Sequence, residues 1–309
     1  MSAGSAVAER PVVRIICGPT AAGKSAIAMR LAERHGLVIV SADSRQVYRG
    51  FDIGTAKPSA DDRARVRHEG IDVAAPTERW SAARWADDAT RWIEDAGVER
   101  VLVVGGTGLY LRALTAPFFT EPPLDAGRRQ ALTDAVRVWP TERLRGWVRR
   151  LDPARAHLGR AQLLRALEVA LLSGVRLSAL HAGAATAPRF RGRWLVVDPG
   201  DRLHAHIEHR LDAMLAAGWA DEVRALADTV PSAAPAWQGC GYAALRAAVR
   251  AGDVSAARTD ILVSTRQYAK RQRTWFRHQL GGQDVTRLDP HAPRAEPLAE
   301  EWWAAEVGA

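Results

Sequence analysis

A glycine-rich stretch near the start of the chain has the residue types and the spacing of a phosphate-binding loop. It fits the pattern G-x-x-x-x-G-K-[ST] and lies between an apolar run and a helical pattern, the context in which this motif is credible. In such loops the backbone N–H groups and the helix dipole attract phosphate, the lysine spans two phosphate groups, and the hydroxyl can hold Mg²⁺. The residues of this segment, here called the phosphate loop, are Gly18, Pro19, Thr20, Ala21, Ala22, Gly23, Lys24 and Ser25.

Asp43 and Thr107 are the next candidates for chemistry, because each stands at the end of an apolar run. A carboxylate beside a bound diphosphate can act as a general base, or can hold Mg²⁺ through water. Both residues also have a structural alternative, since Asp and Thr cap helix N-termini well. The run before Thr107, RVLVVGG (100–106), has no carboxylate at its end, where ATP-using enzymes usually order their metal.

Four apolar runs alternate with helical patterns and must position these residues. Strands that alternate with helices predict an α/β fold with a parallel sheet flanked by helices. Because parallel strands deliver their carboxyl ends to one rim, the phosphate loop, Asp43 and Thr107 are expected to lie together. The predicted strands are VVRIIC (12–17), LVIVSAD (37–43), RVLVVGG (100–106) and RWLVVD (193–198).

The residue pattern changes in the middle of the chain. Prolines interrupt the pattern at 116–125, and residues from about 125 to 182 give almost only helical signal. The segment 181–192 reads as a linker before the strand pattern returns. The sequence therefore predicts a catalytic core formed by residues 1–120 and 190–309, with an all-helical insertion at 121–189.

The composition is that of a globular protein, with 47% hydrophobic and 25% charged residues among 309. No apolar run approaches the ~18 residues of a membrane helix, and the start, MSAGSAVAERP, lacks the pattern of a secretory signal. Neither Cys17 nor Cys240 belongs to a C-x-x-C pair, which predicts free thiols in the cytoplasm. A monomer is the simplest expectation. The net charge of +8 indicates either an acidic partner or an arginine-rich composition.

The placement of the cations favours the acidic partner. In residues 261–280, here called the basic helix, Arg266, Lys270, Arg273 and Arg277 are spaced by four, three and four. This spacing puts them on one stripe of a helix, with Tyr268 and Trp275 on the side towards a core. The stretch contains no carboxylate, unlike a typical solvated helix face. A nucleic-acid backbone is therefore the expected partner.

Taken together, these residues resemble the tRNA dimethylallyltransferase family, also called tRNA isopentenyltransferases. The resemblance rests on GPTAAGKS, SADSRQVYRGFDIGTAKPS, VGGTGLYLRAL, RALEV, GCGY and TRQYAKRQRTWFR. It implies a P-loop kinase-like core with a helical insertion that clamps the anticodon stem-loop of tRNA. It also implies transfer of a dimethylallyl group from dimethylallyl diphosphate to N6 of adenosine 37, the base 3′ of the anticodon. The alternative is a P-loop small-molecule kinase that uses ATP.

The resemblance assigns roles to individual residues. The phosphate loop would hold the diphosphate of the isoprenoid donor, with Mg²⁺ on Ser25. Asp43 would take the proton from the N6 amine, Lys24 would neutralise the leaving diphosphate, and Thr20 and Thr107 would orient the reactants. Gln46 would read the adenine edge. The residues expected to touch tRNA are Asp43, Ser44, Arg45, Gln46, Arg129, Arg165, Cys240, Gly241, Tyr242, Arg266, Lys270, Arg271, Gln272, Arg273, Trp275 and Arg277.

This chain departs from the family pattern in two places. His206 stands where the family commonly has an arginine that is a candidate ligand for pyrophosphate. Arg202, Arg210 or Arg224 could supply the missing cation, and Arg224 is the residue included here among the diphosphate ligands. Gln162 stands where an arginine is expected in the insertion.

Overall fold

The computed structural model describes residues 10–118, 122, 124–183, 187–282 and 284–305. Within these residues one sheet of six parallel strands forms, in the order β3-β2-β4-β1-β5-β6. The sheet confirms the predicted α/β class. Its strands are β1 (Val12–Cys17), β2 (Val38–Ser41), β3 (His68–Glu69), β4 (Val101–Gly105), β5 (Arg191–Val197) and β6 (Val285–Leu288).

The central strands are continuous runs of mostly branched apolar residues because helices cover both faces of the sheet. Every residue of β2 and β4 is buried. In the register, Cys17 stands opposite both Gly105 and Val196, and Ser41 stands opposite Val104. The carboxyl ends of β1, β2, β4 and β5 therefore meet at one rim, as predicted.

The sequence predicted helices beside the sheet and in the insertion without exact bounds. The structure gives these bounds. They are α1 (Lys24–His35), α2 (Ala60–Arg65), α3 (Ala82–Ala96), α4 (Gly108–Thr115), α5 (Ala126–Val136), α6 (Thr141–Leu151), α7 (Arg160–Ser173), α8 (Leu177–Ala182), α9 (Leu203–Ala216), α10 (Trp219–Thr229), α11 (Tyr242–Ala251), α12 (Ala257–Gln279) and α13 (Ala295–Ala304). Among the described residues, no helix combines the length and the apolar character needed to cross a membrane.

The last stretch of the sequence, with Trp302 and Trp303, was expected to fold back on the core, and the structure adds a strand and a helix there that no pattern defined. The chain continues β5 with β6, and α13 then packs against α1. Trp302 and Trp303 are buried in the same apolar cluster as Ile16 and Leu31. This tail therefore completes the core around the phosphate loop's own strand and helix.

The contacts divide the chain into two compact units. One unit contains the described residues up to Thr115 and from Arg189 onwards, and the other contains those between Ala116 and Pro188. The second unit has its own core, in which Leu144, Val148 and Leu163 are completely buried. The expectation that the chain starts without a secretory signal was based on MSAGSAVAERP. Residues 1–9 of that segment lie outside the described residues.

Candidate active site

The phosphate loop connects the end of β1 to the start of α1. Gly18 has a φ of 147°, and a Cβ there would lie 2.1 Å from the carbonyl oxygen of Val197, so the position requires glycine. Helix α1 begins at Lys24 without a side-chain cap and without an acidic residue in its first turn. Its first N–H groups and its dipole are therefore available to an anion.

Lys24 lies half-buried over this loop. Its Nζ donates a hydrogen bond to the carbonyl oxygen of Pro19, with a distance of 2.7 Å. Burial and the nearby charge of Arg210 lower the pKa of Lys24 to about 8, although Asp43 acts in the opposite direction. The ammonium is thus destabilised where it stands, and a bound anion would stabilise it.

Thr107, which follows β4, connects its part of the rim to the segment that follows β2. Its Oγ1 accepts a hydrogen bond from the backbone N–H of Ser44 at 3.0 Å, and its own N–H donates to the carbonyl of Ala42 at 3.2 Å. Asp43 lies between these bonds and caps a turn, since its Oδ1 accepts from the N–H of Arg45 at 2.8 Å. No helix begins at Asp43, so the helix-cap alternative does not apply to it.

These segments enclose a cavity of about 970 Å³. A smaller cavity of about 70 Å³ adjoins it and shares Asp43, Arg210 and Tyr268 with it. The outer wall of the smaller cavity is mainly apolar and includes Ile207, Leu211, Met214 and Trp219. The predicted residues Lys24, Ser25, Asp43 and Gln46 all line the large cavity, together with the loop residues Thr20, Ala21, Ala22 and Gly23.

Arg210 of α9 adds a second cation to this cavity, beside Lys24. Its Nη1 donates to the Oγ1 of Thr20 at 3.2 Å, and among the described residues no carboxylate pairs with it. Burial lowers its pKa. Arg224, in contrast, pairs with Asp221 on α10 and is absent from the described lining of both cavities. Of the compensating arginines considered from the sequence, the structure therefore places Arg210 beside the loop.

Gln272 joins the phosphate loop to the end of β4. Its Oε1 accepts from the N–H of Thr20 and its Nε2 donates to the carbonyl of Gly106, both at 2.8 Å. A Cβ on Gly106 would lie 2.3 Å from that Nε2. The side chain of Gln272 is only 7% exposed, so in this structure it positions the rim from the inner face of α12.

Two family models match this sequence. The model described as IPP transferase matches residues 46–279, and the one described as Isopentenyl transferase matches residues 11–72. The chain belongs to the IPP transferase family. A tRNA dimethylallyltransferase of Geobacter metallireducens is 42% identical over 281 residues, which are 87% of this chain and 90% of that relative. Another, from Stenotrophomonas maltophilia, is 41% identical over 302 residues, which are 92% of this chain and 94% of the relative.

A solved structure agrees with the family. The tRNA delta(2)-isopentenylpyrophosphate transferase of Staphylococcus epidermidis matches with a TM-score of 0.63 and 26% identity, over 94% of this chain and 97% of that one. Family membership confirms the predicted resemblance. It also supports the predicted class of enzyme, a prenyltransferase, over the ATP-using kinase.

In this family member the basic helix corresponds to α12 beyond its first turn, and only part of its cationic stripe is exposed. Arg266 pairs with Glu208 of α9, and Arg273 pairs with Asp198 after β5. Other cations of the stretch are exposed and pair with no carboxylate in the described part of the chain: Lys270, Arg271 and Arg277. Trp275 packs against Gly108 of α4, and Tyr268 lines both cavities.

The predicted contact Gln46 is held by its own loop. Its Oε1 accepts from the hydroxyl of Ser41 at 2.9 Å, and its Nε2 donates to the carbonyls of Thr55 and Ala56 at 3.2 and 3.0 Å. Arg45 reaches the carbonyl of Pro235 at 3.5 Å. An adenine that used the amide of Gln46 would have to replace some of these bonds.

The predicted GCGY contacts lie beside the small cavity and in the core. The Sγ of Cys240 is 3.3 Å from the Oγ1 of Thr265, and Cys240 lines the small cavity. Gly241 precedes α11 with a φ of 87°. Tyr242 is completely buried and donates its hydroxyl to Glu222 at 2.6 Å. Tyr242 thus stabilises the wall behind the cavity.

In the helical unit, the predicted contacts Arg129 and Arg165 converge on one carboxylate. The Nη2 of Arg129 lies 2.8 Å and the Nη1 of Arg165 lies 3.0 Å from the Oε2 of Glu168. Glu168 is only 8% exposed. This cluster links α5 to α7, while the predicted departure Gln162 stands exposed near the start of α7.

Sequence reasoning missed two features of the site. Tyr268 was placed on the core side of the basic helix, yet it lines both cavities together with Asp43, and burial together with the charge of Asp43 raises its pKa. His291 follows β6, and its Nε2 lies 2.9 Å from the Nε2 of His206. The Nδ1 of His206 in turn lies 3.2 Å from the carbonyl oxygen of Ala21 in the loop. The spacing of four residues between His206 and Arg210 on α9 was the available signal for one shared helix face. No pattern pointed to His291.

Lys24 leads to a prediction about pH. Because its pKa is lowered to about 8, the free protein loses the proton of Lys24 as the pH rises through that value. Pyrophosphate affinity, measured by titration calorimetry between about pH 7 and 9.5, is expected to fall by about tenfold per pH unit above 8 relative to Lys24→Arg. The arginine variant keeps its charge over this pH range. Comparison with it therefore removes the effect on affinity of the titration of pyrophosphate itself. Parallel profiles for the two proteins would contradict this prediction.

The exposed part of the basic helix leads to a second prediction. Replacing both Lys270 and Arg277 with Ala is expected to weaken tRNA binding and to reduce the slope of log affinity against log salt by about two. Filter binding across a range of salt concentrations measures this slope. Arg294→Ala is the matched control, since Arg294 is exposed but pairs with Glu301 on α13. An equal change in the control would mean that overall charge, rather than this surface, determines binding.

Proposed function

We propose that this protein transfers a dimethylallyl group from dimethylallyl diphosphate to N6 of adenosine 37 in tRNA, giving N6-isopentenyladenosine and diphosphate. The observation that carries the proposal is the large cavity in which the phosphate loop, Arg210 and Asp43 converge. Such a site has cations for a diphosphate and a carboxylate for a proton. Membership of the IPP transferase family supports the same reaction.

The reaction forms two bonds, N6–C1 and an O–H bond on Asp43, and breaks two, C1–O and N6–H. The N6 lone pair attacks C1 of the donor, and the C1–O bond breaks with its electron pair passing to the diphosphate. Asp43 accepts the proton that leaves N6, as a general base within the cavity. Thr107, which holds the N–H of Ser44, keeps the segment of Asp43 in place, and the high pKa of Tyr268 keeps its hydroxyl protonated as a donor.

Charge grows on the departing diphosphate during this step. The open N–H groups at the start of α1, Lys24 and Arg210 are aimed at that charge in a partly buried site, where fixed dipoles and cations are most effective. The apolar wall of the small cavity, formed by residues such as Leu211 and Met214, suits the hydrocarbon part of the donor. The acceptor base would leave its stack to enter, at a cost of roughly a few kcal/mol.

The residues present also fit a magnesium ion. Ser25 is exposed at the first turn of α1 and lines the cavity, so its hydroxyl can supply one oxygen ligand. Mg²⁺ at phosphate sites commonly combines one or two protein oxygens with phosphate oxygens and water. When bound there, the ion would neutralise part of the charge on the diphosphate.

The remaining predictions follow from the substrate. Action on tRNA supports a cytoplasmic location, and Cys17 and Cys240 are both free thiols. For the tRNA-binding set, the exposed residues Lys270, Arg271 and Arg277 are those with side chains available to phosphates. The monomeric state stays a prediction.

The deciding experiment is a transfer assay without ATP. The protein is mixed with Mg²⁺, labelled dimethylallyl diphosphate and an anticodon stem-loop that has adenosine at the target position. Label is expected in the RNA, and it should be lost when that adenosine is replaced by guanosine. Phosphate release that requires ATP, with no label in the RNA, would instead support a small-molecule kinase.

A further inference from the structure

Lys57 is a buried cation that the proposed reaction does not use. Its side chain is only 2% exposed. The Nζ donates to the carboxylate of Asp52 at 2.6 Å, to the carboxylate of Asp72, and to the carbonyl of Tyr48. An ammonium has three N–H groups, so these bonds use all of them. Although Lys57 lines the large cavity, its donors serve the protein and not a ligand.

The acceptors around this ammonium come from separate segments of the chain. Asp72 follows β3, and its N–H donates to the carbonyl of Gln46 at 3.1 Å. Its second carboxylate oxygen accepts from Arg63 at 2.8 Å. The backbone N–H of Lys57 donates to the carbonyl of Asp52 at 3.1 Å and closes the turn between them. The ammonium therefore joins this turn to the segment of Gln46 and to the chain after β3.

Two residues of this arrangement have a left-handed backbone, which few residues other than glycine adopt. The φ of Ala56 is 49° and that of Asp72 is 58°. Such conformations persist only when the surrounding contacts determine them. The N–H of Ala56 donates to the carbonyl of Ile53 at 2.9 Å, and the next residue is Lys57 with its three bonds. Lys57 thus stabilises a strained turn, here called the 52–57 turn.

The 52–57 turn presents two carbonyl oxygens to the amide of Gln46. The Nε2 of Gln46 donates to the carbonyls of Thr55 and Ala56, and its Oε1 accepts from the hydroxyl of Ser41. Because a carbonyl oxygen only accepts, the nitrogen of the amide must face the turn. A flipped amide would set its oxygen against both carbonyls. The Oε1 keeps a second lone pair, and Gln46 lines the large cavity.

The orientation of this amide determines which purine it suits. Adenine has an N6–H donor beside the N7 acceptor, and an amide pairs with them through its oxygen and one N–H. The open lone pair of Oε1 would accept from N6–H, and one N–H would leave a turn carbonyl for N7. The other N6–H stays available to Asp43. A purine with an oxygen at position 6 would instead place that oxygen against Oε1.

We propose that Lys57 is a positioning residue for recognition of the acceptor base. Through the 52–57 turn it fixes the amide of Gln46 with the oxygen towards position 6 of the purine. The site thereby selects an amino group over an oxygen at that position. This inference rests on the proposed function, in which the cavity receives an adenosine.

A double-mutant cycle tests whether Lys57 acts through Gln46. Lys57→Met removes the three donors and keeps a similar length, and it is expected to lower kcat/KM for an adenosine stem-loop by about tenfold. In a Gln46→Met background the same change should cost less than about twofold, because the amide is already absent. The variant should fold, since Glu222 still accepts from the N–H groups of Asp52 and Ile53 at 2.9 and 2.6 Å. Equal losses in both backgrounds would overturn the proposal.

Equilibrium binding supplies a readout that does not depend on transfer. Stem-loops with adenosine or inosine at the target position are compared by filter binding in the presence of pyrophosphate. Wild type is expected to bind the adenosine form about tenfold more tightly, and Lys57→Met should reduce this ratio to about twofold or less. Asp72→Asn, whose asparagine tolerates the left-handed backbone, should also reduce it. A ratio as large as that of wild type in both variants would overturn the proposal.

A control variant separates base recognition from stability. Ile93→Ala removes a completely buried side chain of α3 that is absent from the described lining of both cavities. It should lower the thermal stability and leave the binding ratio unchanged. A reduced ratio in Ile93→Ala would show that destabilisation alone has this effect, against the proposal. If wild type binds the stem-loop but transfers no label to adenosine, the proposed function itself is wrong.

Discussion

Asp43→Asn is expected to lower prenyl transfer by about 10³-fold, within the range for removal of a general base. The amide keeps the shape of the side chain and can still accept from the N–H of Arg45, so the turn that Asp43 caps should persist. What is lost is the ability to accept the proton from N6. Single-turnover transfer of labelled dimethylallyl groups to an anticodon stem-loop measures the effect.

The same variant should bind tRNA within a few fold of wild type. Its charge lies inside the cavity, away from the exposed cations of α12, so affinity and catalysis are expected to separate. Asp43→Ala should lose transfer to a similar degree. Asp212→Asn is the control, because Asp212 pairs with Arg258 on the surface of α9. Near-normal turnover by Asp43→Asn would remove Asp43 as the base.

Arg210→Met is expected to lower kcat/KM for the donor by about 10²- to 10³-fold, as found when one preorganised donor to a developing charge is removed. Arg210 lines the cavity and, among the described residues, pairs with no carboxylate, so its charge serves the ligand rather than an ion pair. Arg210→Lys should recover only part of the activity, because an ammonium lacks the planar fork of the guanidinium.

Arg224→Met provides the matched control. Arg224 pairs with Asp221 on an exposed face of α10, so its loss should change kcat/KM by less than about twofold. Thermal unfolding of both variants separates effects on the site from effects on folding. If Arg224→Met lost as much activity as Arg210→Met, the assignment of the second cavity cation to Arg210 would be wrong.

The sheet and the centre of the site were predictable from sequence because their signals are local. Long branched apolar runs predicted β1, β2, β4 and β5, and the common rim of parallel strands placed Lys24, Asp43 and Thr107 together. Strand β3 has two residues, and β6 reads VTRL, so neither offers a pattern long enough to detect. Pairing with an existing sheet edge determines these strands.

The less predictable residues are those whose partners lie on distant elements. The basic helix contains no carboxylate of its own, yet Glu208 and Asp198 from other elements neutralise Arg266 and Arg273. The amide of Gln272 could not be distinguished from a surface group without the position of Thr20. Among Arg202, Arg210 and Arg224, only the packing of α9 against the loop identifies the residue that faces the cavity.

Helix α12 has a consequence for the order in which substrates bind. Its outer face presents Lys270 and Arg277, while its inner face holds the N–H of Thr20 through Gln272. A shift of this 23-residue helix would therefore move a hydrogen-bond donor of the phosphate loop. Any such coupling is reciprocal by thermodynamic necessity, so a polyanion that tightens the donor site would itself be held more firmly once the donor is bound.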